Sequence, residues 1–160
     1  MTREITGRTV YRIGVISDTH GKLPPNVERH FSGADLIVHA GDVGGEDILE
    51  MLELIAPVVA VRGNTDFGDW AYKLNSVEMI QVGRVRICVI HDVQRLNIQG
   101  MTIPHAVIHG HSHKPSAGRE NNILFLNPGS AVDPRHSTEP SLAVLHIEGT
   151  VIDAQFIPLL

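Results

Sequence analysis

Ile13-Gly14-Val15-Ile16-Ser17-Asp18-Thr19-His20-Gly21 decides the fold. A four-residue apolar run stops at a polar turn that carries a carboxylate and an imidazole two residues apart. A run this short and continuous, bounded by turn residues, reads as a buried strand rather than a helix. The pattern recurs downstream. Asp35–Ala40 ends in Gly41-Asp42, Val58–Val61 ends in Arg62-Gly63-Asn64-Thr65-Asp66, and Val85–Ile90 ends in His91. Ala106–Ile108 leads into Gly110-His111-Ser112-His113. Apolar runs ending in polar residues are how an α/β sheet presents ligands along one edge.

Between these runs lie helical patterns. Pro24-Pro25 opens a helix through Phe31, with proline tolerated in the first turn. Gly45–Ile55 has apolar residues at 48, 49, 51, 52, 54 and 55, with acids near its start, and Pro57 ends it. Strand–helix–strand–helix–strand implies parallel strands and right-handed crossovers. The second half is richer in strands. Val77–Val82 and Val85–Ile90 flank Gly83-Arg84, a two-residue hairpin signal. Residues 93–103 offer a short helix. Ile123–Leu126, Leu142–Ile147 and Val151–Ile157 read as strands, the last two joined at Gly149-Thr150. The economical architecture is α/β: two packed sheets with outer helices. Residues 1–10 are expected to be a flexible segment and 11–160 a single domain.

Composition agrees. The chain has 160 residues, 42% of them hydrophobic and only 4% aromatic, so the core must be aliphatic. A net charge of −5 argues against a surface that coats nucleic acid, though it leaves a nucleic-acid backbone open as substrate. One cysteine, Cys88, permits no internal disulfide and reads as a small core residue. The charged first twelve residues lack the apolar stretch of a signal peptide, and no apolar run is long enough to span a bilayer. The expected location is cytoplasmic, with no membrane partner. The strand-rich half predicts an edge or face to cover, hence a homodimer or higher homo-oligomer.

Seven side chains stand out as metal-ligand candidates: Asp18, His20, Asp42, Asn64, His91, His111 and His113. Each part alone is ordinary, since Asp-x-His pairs and Gly-Asn turns are common. Together, each beside a strand end, they form a donor set of carboxylate, amide and imidazole. That set suits a borderline transition metal. Seven donors exceed one tetrahedral ion and fit two ions sharing a carboxylate. Asp42 is the natural bridge, and Asp42, Asn64 and His91 are the residues expected to be most directly catalytic. Two divalent ions bring +4 and two carboxylates return −2, so the bare site is about +2 and attracts phosphate. Water shared by two such ions loses its proton readily and can attack in line.

Asp18-x-His20, Gly41-Asp42, Gly63-Asn64, His91 and Gly110-His111-Ser112-His113 resemble, in order, the signature of the calcineurin-like metallophosphoesterases. Asn127-Pro128-Gly129-Ser130 and Pro140-Ser141-Leu142-Ala143-Val144-Leu145 look like the small bacterial and archaeal phosphodiesterases of that superfamily. The resemblance implies a four-layer α/β/β/α sandwich of two mixed sheets flanked by helices. It also implies one ion on Asp18, His20, Asp42 and His113, and a second on Asp42, Asn64, His91 and His111. The expected ions are Mn above all, with Ni, Fe, Zn or Co as alternatives. The expected activity is hydrolysis of a small phosphodiester. Two other readings share the fold: a phosphomonoesterase or nucleotidase on the same site, and a non-catalytic scaffold like the retromer subunit, from which the seven retained donors argue away.

This chain departs from the family pattern at Asp92, where glycine is common, at Thr65, where histidine or cysteine is common, and in the short 92–108 segment. His39, Asp92 and His109 are candidates to support the ligands from behind. Arg135 and His136 are read as a solvated loop, and His30, His105 and His146 as structural or surface residues. Trp70 and Tyr72 are read as either lining a groove or packing against a helix.

Overall fold

The computed structural model describes residues 3–135 and 139–159. Eleven strands form among them: β1 Arg3–Ile5, β2 Val10–Ile16, β3 Leu36–His39, β4 Val58–Ala60, β5 Val77–Val82, β6 Val85–Ile90, β7 Ala106–Ile108, β8 Ser116–Glu120, β9 Ile123–Asn127, β10 Ser141–Glu148 and β11 Val151–Pro158. The helices are α1 Val27–Phe31, α2 Glu46–Glu53 and α3 Asp69–Tyr72, with a 3-10 turn at Val93–Arg95. The strands build a five-stranded sheet, β11-β10-β2-β3-β4, and a six-stranded sheet, β1-β5-β6-β7-β9-β8. Both sheets are mixed. β2, β3 and β4 are parallel, while β10 runs antiparallel to β2. β6, β7 and β9 are parallel, while β5 runs antiparallel to β6 and β8 antiparallel to β9.

Alternation along β2 shows how the layers form. Tyr11, Ile13 and Val15 turn into the core between the sheets, where they meet Ile80, Val82, Ile87 and Val89 of the opposite sheet. Ile16 turns the other way, into the cluster under α1 and α2 with Val27, Phe31, Ile48 and Leu52. Each fully buried aliphatic side chain contributes about 1.5–3 kcal/mol relative to exposure. Gly14 sits on that outer face because any Cβ would press to 2.8 Å from the Phe31 ring, so its small size lets α1 dock on the sheet.

Three features differ from the sequence expectations. Residues 1–10 do not form a flexible segment throughout: Arg3–Ile5 pairs parallel with Ile80–Val82, and the Arg3 guanidinium donates to the Val58 carbonyl at 3.1 Å. The helix expected within 93–103 shrinks to the 3-10 turn. Asp92 caps that turn, but Asn97, Gly100 and Pro104 prevent its extension. The outer face of the six-stranded sheet (Cys88, Ile90, Val107, Ile123) is therefore covered by Val93, Leu96 and Met101 rather than by a full helical layer. The hairpin strand β8 was not legible, since its five residues are all exposed. No helix among the described residues is long and apolar enough to cross a membrane.

Candidate metal centre

The parallel strands deliver the candidate ligands to one edge. Asp18 and His20 follow β2, Asp42 follows β3, Asn64 follows β4, His91 follows β6, and His111 and His113 follow β7. Backbone bonds then tie the turns together. The Asp18 N–H donates to the Gly41 carbonyl at 3.0 Å, His20 N–H to the Asp42 carbonyl at 3.0 Å, and Gly110 N–H to the His91 carbonyl at 3.0 Å. Eight non-glycine residues among those described have positive φ, and five of them are Asp18, His20, Asp42, His111 and His113. Such backbone costs about 1–3 kcal/mol apiece and persists where the surroundings over-determine it, most often at functional sites.

The side chains converge. Asp18 Oδ1 lies 3.3 Å from His113 Nε2 and 3.9 Å from both His20 Nε2 and His91 Nε2. Asp42 Oδ2 lies 3.3 Å from His91 Nε2 and 3.9 Å from His20 Nε2, so it stands between the two histidines that a shared carboxylate must reach. Asn64 Oδ1 lies 3.0 Å from His91 Nε2 and 3.1 Å from His111 Nδ1. Two sets, Asp18–His20–His113 and Asp18–Asp42–His91, each hold their donor atoms within 4.8 Å of one another. All seven sequence candidates are therefore in one cluster.

The hydrogen bonds behind the cluster fix which atoms face inward. Asp18 Oδ2 accepts from the Ser17 hydroxyl at 2.6 Å and from the His111 N–H at 3.1 Å. Asp18 Oδ1 is buried and, among the described residues, accepts no hydrogen bond. A buried carboxylate oxygen costs free energy unless a cation or donor meets it. His91 Nδ1 donates to the Ala40 carbonyl at 2.7 Å and His113 Nδ1 to the Asp133 carbonyl at 2.6 Å, so in the neutral rings each Nε2 presents a lone pair to the cluster. His20 Nε2 and His113 Nε2 lie 3.3 Å apart. With those rings neutral, imidazole nitrogens around a buried carboxylate oxygen that accepts no hydrogen bond among the described residues fit a divalent cation.

Electrostatics in the metal-free protein point the same way. Burial raises the Asp42 carboxyl, but the His91 bond and the Thr65 N–H outweigh it and hold the group well below the usual carboxylate range. Burial pushes Asp18 up despite the Ser17 bond and the neighbouring imidazoles. Burial lowers His91, yet the Asp42 bond and the Asp18 charge prevail and raise it. A cation would therefore compete with protons at Asp18 and His91.

The expected supporting residues divide. His39 is fully buried: its Nδ1 accepts from the Gly41 N–H at 3.1 Å, and its Nε2 faces the Thr19 hydroxyl at 3.0 Å. Burial, reinforced by His91, drives its pKa down to about 3, so it braces the Asp42 turn as a neutral ring. Asp92 caps the 3-10 turn through the Gln94 N–H and lies 3.9 Å from Arg95. His109 is half-buried, which lowers its pKa. Arg135 is exposed beside His20 and Lys22, and His136 lies outside the described residues.

Four contributions were not read from the sequence. Asp66 is buried and accepts from the N–H groups of Gly63, Val43 and Gly44 at 2.9, 3.2 and 3.0 Å, clamping the Asn64 turn to the Asp42 turn. Its only signal is an acid two residues beyond Asn64. Ser130 accepts from Asp133 N–H and donates to the Asp18 carbonyl at 2.8 Å. Asn127 donates to the Gly110 carbonyl and the Ser112 hydroxyl. Finally, a cavity of about 630 Å3 opens beside Asn64, His91 and His111, with Phe67, Tyr72 and Arg62 on its wall. Of the two aromatics that the sequence left open, Tyr72 lines this cavity and Trp70 packs against the core under α2.

Residues 11–150 match the calcineurin-like phosphoesterase superfamily domain. A probable metallophosphoesterase from Methanothermobacter thermautotrophicus is 37% identical over 158 residues, covering 91% of each chain. A phosphodiesterase from Methanocaldococcus jannaschii is 24% identical over 139 residues, covering 74% of this chain and 82% of that protein. In fold, the chain is similar to Vps29 of Entamoeba histolytica complexed with zinc, with a TM-score of 0.72 at 24% identity, covering 92% of this chain and 98% of that one.

Proposed function

The chain belongs to the calcineurin-like phosphoesterase superfamily, and we propose that it hydrolyses phosphodiesters at a dinuclear divalent-metal centre. Asp18, His20, Asp42 and His113 would hold one ion, and Asp42, Asn64, His91 and His111 the other. The observation that carries this reading is the buried Asp18 Oδ1, which accepts no hydrogen bond among the described residues and faces three imidazole Nε2 atoms within 3.9 Å. Manganese suits a set of two carboxylates, one amide and four imidazoles, and Ni, Fe, Zn or Co could be accepted by the same donors. Zinc in the complexed Vps29 supports the cation reading. When bound, such ions would supply Lewis acidity for activating water and for offsetting phosphoryl charge.

The chain's own groups explain the preference for diesters. The Asp42 turn runs on through Val43-Gly44-Gly45-Glu46-Asp47, two acids and no arginine, so it offers little to the second charge of a monoester dianion. Thr65 follows Asn64, and its hydroxyl cannot serve as a general acid near neutral pH. Without a positioned acid, the leaving group departs with its charge largely unneutralised. For Mn-loaded protein, kcat/KM over a series of aryl diesters should fall steeply as leaving-group pKa rises, and matching monoesters should be slower. Faster monoester turnover would refute the diesterase assignment, and a flat series would require a proton donor that this account does not provide.

A further inference from the structure

We propose that the cavity beside Asn64 is the subsite for a nucleoside arm of the substrate, whose base stacks against Phe67 and Tyr72. The proposal rests on the phosphodiesterase reading and adds the class of the diester's second substituent. The cavity is about 630 Å3, within the range of small-molecule sites and large enough for a nucleoside. Asn64, His91 and His111 are part of its lining, so an ester arm leaving a phosphoryl group at the cluster can run directly into it.

The rings are placed unusually for this chain. It has only seven Phe, Tyr and Trp residues. Tyr11 and Phe31 are buried, whereas Phe67 and Tyr72 are the most exposed, at 69% and 62%, and both line this one cavity. Large apolar groups left in water together mark a binding surface more often than a lone exposed residue does. Both rings lie within eight residues of Asn64, on the segment that supplies that ligand. Tyr72 is also held in place. The Arg62 guanidinium sits over its ring, 5.9 Å from the centroid, and is itself anchored by donation to the Leu74 carbonyl at 3.2 Å.

The remaining lining selects a nucleoside over a plain alkyl arm. Val77 and Ile90 add apolar lining, and Ser76 and Asp92 add hydrogen-bonding groups for a base or sugar edge. Stacking of a base on aromatic side chains is worth on the order of tenfold or more in affinity per base. A long nucleic-acid strand fits less well. The chain carries a net charge of −5, and strand binding draws on many phosphate contacts from lysine and arginine.

Calorimetric titration of Mn-loaded protein with thymidine 5′-methylphosphate, beside dimethyl phosphate, tests the subsite through binding, since both esters have poor alkoxide leaving groups that the steep leaving-group dependence makes slow to cleave. The wild type should bind the nucleoside ester at least about tenfold more tightly. That advantage should fall toward one in a Phe67→Ala/Tyr72→Ala protein, and Phe67→Trp should keep it. Circular dichroism would check that the variants fold, which the exposure of both rings favours. Equal binding of the two esters by the wild type, or an advantage that survives the double substitution, overturns the proposal. A protein that binds the nucleoside ester preferentially but cleaves no diester keeps the subsite and refutes the phosphodiesterase reading instead.

Discussion

Asp66 coordinates nothing in this account, yet the two ligand turns meet on it. Its carboxylate is the buried acceptor for three backbone N–H groups from 43, 44 and 63. Removing it leaves those donors without their partner, and Asp66→Ala should cost on the order of 3 kcal/mol in urea denaturation. Asp66→Asn keeps one acceptor oxygen and should recover part of the loss. Near-wild-type stability of the alanine variant would remove Asp66 from the account. His39 gives a pH dependence with a definite sign. Unfolded, its imidazole takes up a proton near 6.5, whereas in the folded protein it does so only near 3. Between those values the unfolded chain binds more protons, so the stability that His39 confers is present above about 6.5 and is lost as pH falls. His91 and Asp18 are both raised, and their contributions run the other way. The comparison with His39→Gln therefore isolates the effect. Metal-free wild type should lose more stability than the variant between pH 6.5 and 4, by a few kcal/mol at most. Parallel losses would mean that His39 is not the titrating group.

At the scale of elements, the apolar runs made β2, β3, β4, β6 and β7 legible, and with them the position of all seven ligand candidates. The elements that were missed have little hydrophobic pattern of their own. β1 is Arg3-Glu4-Ile5, with one apolar residue, and exists because the open edge of β5 accepts it. β8 is Ser116-Ala117-Gly118-Arg119-Glu120, exposed throughout, and exists because β9 and a turn at Asn121-Asn122 fold it back. Both asparagines have positive φ, as a type I′ hairpin turn requires, so that dipeptide was the available signal. The cavity wall was less legible still, because Arg62, Phe67 and Tyr72 converge through the path of a loop and a four-residue helix. Packing between turns also sets a test at this scale. A Cβ on Gly63 would overlap the backbone nitrogen and carboxylate of Asp42, whereas a Cβ on Gly118 in β8 would meet nothing within 4 Å. Gly63→Ala should push the two turns apart, costing about 1–3 kcal/mol and weakening metal binding. Gly118→Ala should do neither. Equal effects on metal affinity in a dialysis titration would show that the Asn64 and Asp42 turns are not held in close register.

For the whole molecule, two mixed sheets packed face to face place five strand ends along one edge, and that edge carries the seven candidate ligands. A similar fold occurs in Vps29, and a fold by itself does not decide what a protein does. The decision rests on the donor set, which was legible in the sequence as residue types, and on its convergence, which only the packing of the two sheets produces. Ala40, at the end of β3, and His91, after β6, lie 51 residues apart on strands of different sheets, and yet the His91 ring donates to the Ala40 carbonyl beside the Asp42 turn. An acidic chain with a cluster that becomes cationic on metal loading should draw anionic substrate to that edge alone. The most direct test is to add Mn in measured equivalents to chelator-treated protein while following hydrolysis of bis(p-nitrophenyl) phosphate. The account predicts no turnover without metal and a rate that rises until two equivalents per chain are bound, then stays level. Full activity at one equivalent, or no metal-dependent hydrolysis at any loading, would contradict it.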